Sequence, residues 1–497
     1  MAQDPTMAPP AAPGGVGEGY ERLGGKKLSL IDVLAQSVGF MGPVFSAAFI
    51  IPLIIGVNAA ARGAGTSAPL AVLLAAVGVF ALGWIVAQYA KRIHAAGSLY
   101  DYVSNGLGRT TGAGAGWLYY SGCIILTVGL GVLLGAYVHD NLWPTLFNGD
   151  SPLPIWLWDA ILAGGLFVVL FFGVQISTKV QLTLALVSIA VVLVFFVTVI
   201  SKLGGDNDIV KSFDPSPAGG GFSGILFGVL YGVLIFVGFE TAANLAEETA
   251  DPKRSIPKAV LGAVVIVSVF YLIASYVEVA GFGFNMKVIT SAEVSGAPLF
   301  ALGAGPPFGS SFWLKLLLVV VFLDMLAVYV GAAVASTRGT FAMARDRRLP
   351  GALASVSRKY GTPLGAIVLL IVIQGLLIVV SEANDTLLAL PGLPHYFSVF
   401  VWCSTYGGFA LLVVYLLMSV GALRGLGGNE GRGGLVIAAI LGIAISGAAI
   451  FGSFYKVTSP ILLAPWAAII WFAIGLVYMA LVKGRDPASE TLADLRA

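Results

Sequence analysis

Long apolar runs recur along the whole chain, and they constrain its fold more than any other feature. A helix needs roughly 20 mainly apolar residues to cross the hydrocarbon core of a bilayer. The sequence contains about twelve such runs, and 58% of its 497 residues are hydrophobic while only 10% are charged. An all-α integral membrane protein with about 12 transmembrane helices is therefore predicted, since a β-barrel would show segments of about ten alternating residues. The predicted spans 1 to 12 lie near 30–57, 67–90, 112–138, 155–173, 179–201, 222–246, 258–280, 312–343, 364–381, 395–420, 434–455 and 459–482.

The basic residues predict how these spans are oriented. With both termini in the cytoplasm, about 20 of the 27 Lys and Arg residues fall on cytoplasmic segments and about six outside. This is the distribution that the positive-inside rule requires. We therefore expect a multi-pass protein of the cell membrane whose basic residues serve topology rather than nucleic-acid binding.

The two ends of the chain differ from the rest in composition. Residues 1–26 are rich in Pro, Gly and Ala without periodicity, which favours a disordered cytoplasmic tail, and residues 483–497 form a second predicted tail. We expect no cleavable signal peptide, because the first apolar run is too long and begins too late. Cys123 and Cys403 fall inside spans, so we predict buried thiols and no metal site.

Two predicted spans carry helix breakers at corresponding places. Span 1 contains GFMGPVF, and span 6 contains GVLYGVLIFVGFE. Five crossings separate them, so the second unit would enter the membrane from the opposite side, as in transporters built from inverted repeats. We predict a five-plus-five inverted repeat of residues 28–201 and 222–421, followed by spans 11 and 12 at 434–482. The alternative is that these Gly and Pro residues serve helix packing alone.

Five stretches in a characteristic order resemble one transporter family. They are the broken first span, RIHAAGSLYDYVSNGLGRTTGAGAGW, FVGFETAANLAEETADPKRSIPKAV, STRGTFAMARDRRLP and RKYGTPLGA. Together they resemble the amino acid–polyamine–organocation superfamily, and the resemblance covers nearly the whole chain from about Leu28. It implies an amino acid permease-like fold shared with the sodium-coupled neurotransmitter transporters, alternating access and small nitrogen-containing substrates.

The break in span 1 provides the first candidate binding groups. Pro43 has no N–H and its ring clashes with the carbonyl four residues back, so carbonyls at 38–40 are expected to accept from an ammonium. The N–H groups that open the next half-helix can face an anion. Amino-acid members of the resembled family usually carry a second small residue where Pro43 stands, so Pro43 looks more like polyamine importers and some acidic-amino-acid members. The predicted substrate-binding residues here are Phe40, Met41, Gly42, Pro43, Val44, Phe45 and Ser46.

Glu240 is the clearest candidate for a functional charge in span 6. A straight helix from Gly224 would carry it about 24 Å into the membrane, just past the expected break at Gly238. Ionisable residues inside a membrane are functional candidates by default. The alternative is that Glu240 braces the unwound segment.

Asp324 interrupts the apolar run of span 8, about 16 Å beyond Trp313. The next cation on that helix is Arg338, about 21 Å further, so the partner of Asp324 must come from another span or from a ligand. A cationic substrate, a proton and a structural hydrogen bond all remain open. Glu240 and Asp324 are the proton-coupling candidates.

Aromatic side chains are expected to close the site. Phe239 resembles the gating position of the family, and Tyr120 is a second gate candidate, although packing is the common role of any single aromatic. The other predicted site residues are Tyr119, Phe236 and Gly238.

The coupling ion is less clearly indicated. Ser336 and Thr337 could resemble the hydroxyl ligands of a sodium site but lie near the cytoplasm, and span 5 lacks the lysine of some proton-coupled relatives, with Lys179 at its mouth. Glu247 and Glu248 are expected to form a solvated cluster with Lys253 and Arg254.

We therefore predict a secondary active transporter, not an enzyme, that imports a small amine-bearing solute, most simply an amino acid. The proton is the preferred driving ion, sodium stays open, and no cofactor is expected. Alternatives are a polyamine or other organic-cation importer and an exchanger. A channel, a receptor or an enzyme is less consistent, because no filter-like segment, charged ring or catalytic cluster is present.

Overall fold

Helices account for most of the residues that the structure describes. The computed structural model describes residues 27–57, 63–215, 221–291, 294, 297–390, 393–427 and 432–482. Both predicted tails, 1–26 and 483–497, lie outside the described residues. The long helices are Ala68–Ala90, Arg109–Tyr137, Ile155–Phe172, Val174–Lys202, Pro252–Ala280, Ser311–Arg345, Leu364–Ala383, His395–Gly425, Arg432–Gly452 and Leu463–Leu481.

Spans 1 and 6 are interrupted, as predicted. Span 1 consists of Leu30–Met41, Pro43–Phe49 and Ile51–Ile55, and span 6 consists of a helix Gly221–Leu234, a turn, and a 3₁₀ helix Thr241–Glu248. Eleven helical segments in the described part of the chain are long and apolar enough to cross a membrane. Span 6 is the twelfth predicted span, and it falls short as a single helix because its break divides it.

The spans alternate in direction, so the bundle has two faces. We call the face that carries the start of span 1 the basic face, because Lys91, Arg92, Lys253, Arg254 and Arg345 lie at its helix ends. We call the opposite face the distal face. Spans 1, 3, 5, 7, 9 and 11 start at the basic face and the even-numbered spans return to it.

Burial separates the central helices from the peripheral ones. Most of spans 1, 3, 8 and 10 is buried, whereas spans 4, 5, 9, 11 and 12 are largely exposed. Their exposed side chains include Val197, Leu376, Ile440 and Val477, an apolar surface suited to lipid. Cys123 and Cys403 are buried free thiols, as predicted.

Helix contacts put the two interrupted spans in the middle of the bundle. The first half of span 1 packs against spans 5, 7 and 8 and against the 3₁₀ helix of span 6. Span 3 packs along span 10, and span 2 along span 7. The five-plus-five internal symmetry stays a prediction.

Two short helices lie between spans 7 and 8, at Met286–Ile289 and Pro298–Ala304. The second packs against Pro43–Phe49 of span 1 and against spans 7 and 8. It therefore covers part of the distal end of span 1.

Candidate solute-binding site

The break in span 1 is centred on Gly42. Its φ is +56°, a left-handed conformation that interrupts the helix between Met41 and Pro43. A Cβ atom at this position would lie 2.2 Å from Cγ2 of Val328 in span 8. Conformation and space both require glycine here, so the break is built into the packing of span 1 on span 8.

The groups released by the break are fewer than the sequence indicates. The N–H of Gly42 still donates to the Val38 carbonyl at 3.3 Å, and the N–H of Ser46 donates to the Gly42 carbonyl at 2.8 Å. The Val38 carbonyl and the Ser46 N–H, both predicted to be available to a solute, are therefore already hydrogen-bonded within the chain. Gly39 loses its usual donor because Pro43 has no N–H.

The remaining two N–H groups are bound by Asp324. Its Oδ2 accepts from Val44 N–H at 2.8 Å and from Phe45 N–H at 2.7 Å. The side chain is fully buried, and its Oδ1 has no hydrogen-bond partner among the described residues. The chain thus supplies its own carboxyl group to the start of the second half-helix, and one oxygen of that group has no partner in the described part of the chain.

The break in span 6 lies directly against the break in span 1. The helix ends at Leu234, and Gly238 has a φ of +107° within the turn. A Cβ atom on Gly238 would lie 2.7 Å from Cγ of Phe40. The ring of Phe40 therefore packs on the bare backbone of Gly238.

Two further side chains join the breaks. The Tyr271 hydroxyl, from span 7, lies 2.7 Å from the Ile235 carbonyl and 3.1 Å from the Met41 carbonyl. The Ser37 hydroxyl donates to the Phe239 carbonyl at 2.7 Å and accepts from Ala242 N–H at 3.1 Å. These bonds use the carbonyl and N–H groups that interrupted helices leave unpaired.

Glu240 is held by two tyrosines. Its Oε1 accepts from the Tyr119 hydroxyl and its Oε2 from the Tyr415 hydroxyl, each at 2.7 Å. All three side chains are fully buried or nearly so. Spans 3, 6 and 10 meet at this carboxylate, which has no cationic partner among the described residues.

Aromatic rings surround the breaks. Phe236 packs edge-on against Tyr271 with centroids 5.2 Å apart, and Phe239 packs against Tyr415 at 5.3 Å. Towards the distal face, Phe45 and Phe49 contact a layer of rings. That distal aromatic layer consists of Phe45, Phe49, Tyr137, Phe300, Phe397 and Phe400.

Tyr120 packs edge-on against Tyr119, with ring centroids 5.0 Å apart, and its other contacts lie towards the basic face. Its hydroxyl donates to the Gly97 carbonyl at 2.6 Å, and a Cβ atom on Gly339 of span 8 would lie 1.7 Å from its ring. Gly97 belongs to the connection between spans 2 and 3 at the basic face. The Tyr120 hydroxyl therefore lies on the basic-face side of the tyrosine that binds Glu240.

Buried ion pairs close the basic face. Arg338 and Glu248 are 2.8 Å apart, with side chains only 2% and 5% exposed, and Arg345 makes two hydrogen bonds of 2.8 Å to Glu247. The expected solvated cluster is wrong for both glutamates. Span 8 reaches back to the end of span 6, a pairing between distant residues that local charge patterns cannot indicate.

Asp346 adds a titratable group to this region. It is 1% exposed, directly after span 8, and its Oδ1 lies 3.9 Å from Nε of Arg345. Burial raises the pKa of Asp346 to about 7, although the guanidinium of Arg345 opposes the shift.

Spans 1, 5 and 8 meet at two buried glutamines. Gln36 Nε2 donates to the Gly331 carbonyl at 2.9 Å, and Gln181 Nε2 donates to the Ala327 carbonyl at 3.2 Å. The hydroxyls of Ser336 and Thr337 donate to the Ala333 carbonyl of their own helix. At this junction span 5 contributes a neutral amide rather than a lysine.

Most predicted site residues are thus brought together, and three important partners were missed. Tyr271, Tyr415 and Gln181 are ordinary residues within apolar spans, and their roles depend on which helices meet. A polar side chain with no other explanation inside a span is the only signal that could have identified them.

The chain is similar to known permeases over most of its length. Residues 38–425 match the amino acid permease family. The methylthioribose transporter of Bacillus subtilis is 25% identical over 316 residues, covering 61% of this chain and 65% of that transporter, just under two thirds of its length. An uncharacterized transporter of Mycobacterium tuberculosis is 26% identical over 411 residues, covering 82% of both chains. The branched-chain amino acid permease BcaP of Lactococcus lactis is 25% identical over 349 residues, covering 67% of this chain and 71% of the relative.

The matched region includes both helix breaks, at Gly42 and Gly238, together with Asp324 and the two tyrosines that bind Glu240. Together with the apolar spans it makes the chain a multi-pass membrane protein, and the chain belongs to the amino acid permease family.

Proposed function

We propose that this protein imports a small amine-bearing solute across the cell membrane by alternating access. The first candidate for this solute is an amino acid. Both termini lie in the cytoplasm in this proposal, because the positive-inside rule assigns the basic face to that side. The distal face is then external.

One observation carries the proposal: two interrupted helices meet at mid-bundle, each with a buried carboxylate at its break. Interrupted helices leave backbone groups that solutes and ions can use, and such breaks mark the substrate sites of many transporters. Asp324 lies at the break of span 1 and Glu240 at the break of span 6.

The solute's ammonium is assigned to the unoccupied Oδ1 of Asp324. A charge-assisted hydrogen bond to a buried carboxylate is among the stronger polar contacts in proteins. The Gly39 carbonyl has no helical donor, because the residue four positions later is Pro43, which has no N–H. This carbonyl supplies a second acceptor at the same break. Phe40 and Phe239 provide apolar walls, and Phe239 acts as the gate.

The two closures lie on opposite sides of this position. The distal aromatic layer covers the outer half of span 1, and the Arg338–Glu248 pair closes the basic face. Both are formed in the structure, which corresponds to an occluded arrangement. Opening one at a time would expose the site alternately to the two sides.

We assign proton coupling to Glu240. Its carboxylate is buried between two neutral phenols and has no cationic partner among the described residues, so a proton is the ligand that would neutralise it. Asp324 is then left free to bind the solute.

A second candidate function is transport of amines that lack a carboxylate. It is favoured by Asp324, whose Oδ2 already binds the Val44 and Phe45 N–H groups. An amino acid would need these donors for its own carboxylate or would need another partner for it.

Counterflow in proteoliposomes tests both candidates. A carrier loaded with unlabelled solute accumulates labelled solute, whereas a channel does not. Each amino acid should be paired with its decarboxylated amine as competitor, for example lysine with cadaverine. Stronger competition by the amino acids supports the first candidate, stronger competition by the amines supports the second, and absence of counterflow with any amine-bearing solute would overturn the proposal.

A further inference from the structure

Glu278 is a buried carboxylate without a hydrogen-bond partner among the described residues. It lies in the last turn of span 7, at the distal end, and its side chain is 0% exposed. Neither Oε1 nor Oε2 is hydrogen-bonded within the described part of the chain. Buried polar groups are nearly always paired, so an unpaired carboxylate in a native fold needs an explanation.

The other fully buried carboxylates are paired. Asp324 accepts two backbone N–H groups and Glu240 accepts two tyrosine hydroxyls. Glu278 is the exception among the three in the ranges that the structure describes. The bundle can therefore supply partners to buried carboxylates, and the lack of a partner at Glu278 is specific to that position.

Among the described residues, no cation of the helices packed against span 7 is paired with Glu278. At the distal end, the neighbouring helices Pro43–Phe49, Ile51–Ile55 and Pro298–Ala304 contain no ionisable residue. Lys202, at the distal end of span 5, is exposed and donates to the Pro307 carbonyl. On span 7 itself, Tyr271 is bonded to the two breaks and Tyr276 to Asn207. The segment that contains Asn207 also carries Asp208 and Lys211, which are exposed and paired with each other. The remaining ionisable side chains of the packed helices lie at the basic face: Asp32, Tyr89, Lys179, Glu247 and Glu248.

The position of Glu278 connects it to the moving part of the proposed carrier. It lies seven residues after Tyr271, so it is on nearly the same face of span 7 and about 10 Å closer to the distal end. Tyr271 contacts both breaks, and the same helix packs against both outer pieces of span 1. The outer half of span 1 therefore covers the region of span 7 that contains Glu278.

Burial without a partner determines what Glu278 can bind. Burying an ionised carboxylate without a compensating charge is strongly unfavourable, whereas burying a protonated one is much less so. If the outer half of span 1 moves away, water can solvate the carboxylate and the proton can leave. The closed arrangement is therefore the one that holds a proton at Glu278.

We propose that Glu278 is a proton-binding site whose occupancy allows the outer half of span 1 to close over the solute. On closure the carboxylate takes one proton from water on the distal side, and on reopening it returns that proton; only the O–H bond forms and breaks. The inference rests on the proposed alternating-access function but concerns a carboxylate outside the solute site.

Solute exchange at equal pH on both faces tests this site. With no proton gradient, and with unlabelled solute on one side and labelled solute on the other, exchange depends on how readily the carrier closes. In the wild type the exchange rate should fall as the pH rises. The decrease should approach about tenfold per pH unit once most Glu278 is ionised. Glu278→Gln, a permanently neutral isostere, should lose most of this fall and exceed the wild-type rate at the alkaline end by at least about fivefold.

Two further variants define the outcome. Glu382→Gln is the matched control, because Glu382 is an exposed carboxylate at the distal end of span 9 whose partner is Tyr396; it should keep the wild-type profile. Glu278→Asp keeps a titratable group and should keep a pH-dependent rate, which also provides a test if the Gln variant does not fold.

Superimposable pH profiles for wild type and Glu278→Gln would overturn the proposal, as would a pH-independent rate in Glu278→Asp. Failure of the proposed function gives a different result, because no variant and no wild type would then exchange any amine-bearing solute. Exchange that persists without the predicted pH effect would remove the proton site and leave the carrier function standing.

Discussion

Asp324 of span 8 and Phe45 of span 1 are joined by a hydrogen bond of 2.7 Å between a buried carboxylate oxygen and a backbone N–H. The bond connects residues 279 positions apart, and Oδ1 of the same carboxylate has no hydrogen-bond partner in the described part of the chain. One side chain therefore satisfies the break of span 1 and still presents an acceptor to a solute. Substitution of Asp324 can separate its role at the break from its role in binding the solute.

Asp324→Asn should weaken binding of a diamine by roughly 10- to 100-fold, the size expected for loss of a charge-assisted hydrogen bond. The Asn carbonyl can still accept from Val44 and Phe45, so the break should survive. A neutral amino acid should lose much less, and thermal shift on purified protein can compare the two. Asp150→Asn, an exposed distal position, is the control. Equal losses for both solutes would indicate a structural role for Asp324.

Glu240→Gln should abolish accumulation driven by a pH gradient while solute exchange remains measurable. The amide retains the size of the carboxylate and still accepts from one of the two tyrosines, but it cannot carry a proton. Tyr415→Phe removes one of the two hydroxyls on Glu240 and should reduce proton-driven accumulation without abolishing it. Uptake into proteoliposomes with an acidic exterior measures both effects. Unchanged accumulation in the Gln variant would exclude the coupling role.

The contrast between span 1 and its partners shows how far sequence reasoning reaches here. Gly42, Pro43 and Gly238 are backbone signals, because a missing N–H or a missing Cβ acts wherever the helix lies, and both breaks were predicted from them. The partners that complete the site come from spans 3, 7, 8 and 10. Apolar spans carry no pattern that specifies which of their faces meet, so Tyr271 and Tyr415 emerge only from packing.

The charged groups show the same limit at the basic face. Glu247 and Glu248 are followed by Lys253 and Arg254, which indicates a local solvated cluster. The structure instead pairs Glu247 with Arg345 and Glu248 with Arg338, 98 and 90 residues further along the chain. Ion pairs formed in the fold replace the pairs that local charge spacing indicates. The sequence alone does not show which of the two sets of pairs forms.

Gly238→Ala should impair transport by separating the two breaks. The new methyl group would meet the ring of Phe40 at 2.7 Å, and a φ of +107° is rarely adopted by alanine. We expect a loss of roughly 1–3 kcal/mol in stability together with reduced exchange. Gly164→Ala is a matched control, because that helical glycine in span 4 has open space around it and alanine favours helix by up to about 1 kcal/mol. A wild-type exchange rate in Gly238→Ala would argue against close contact between the breaks.

Arg338→Met should destabilise the protein by about 3–5 kcal/mol, because it leaves Glu248 buried without its cation. Adding Glu248→Gln to Arg338→Met should recover part of the lost stability, because the double variant has no buried unpaired charge at this site. Arg254→Met is the control: its side chain is 81% exposed beside Asp251, and surface pairs contribute about 1 kcal/mol or less. Thermal unfolding of the four proteins distinguishes these cases. Equal destabilisation by Arg338→Met and by the double variant would indicate that Arg338 acts through packing alone.

Asp346 should make stability depend on pH near neutrality. Burial raises its pKa to about 7 in the folded protein, against about 3.9 when unfolded, so the folded state holds the proton more tightly. The resulting stabilisation is fully present below about pH 4 and is lost as the pH rises through about 7. Between pH 5 and 8 the melting temperature of the wild type should therefore fall relative to that of Asp346→Asn, which cannot ionise. A constant difference between the two proteins across this range would show that Asp346 is already ionised in the fold, with Arg345 at 3.9 Å as its counter-ion.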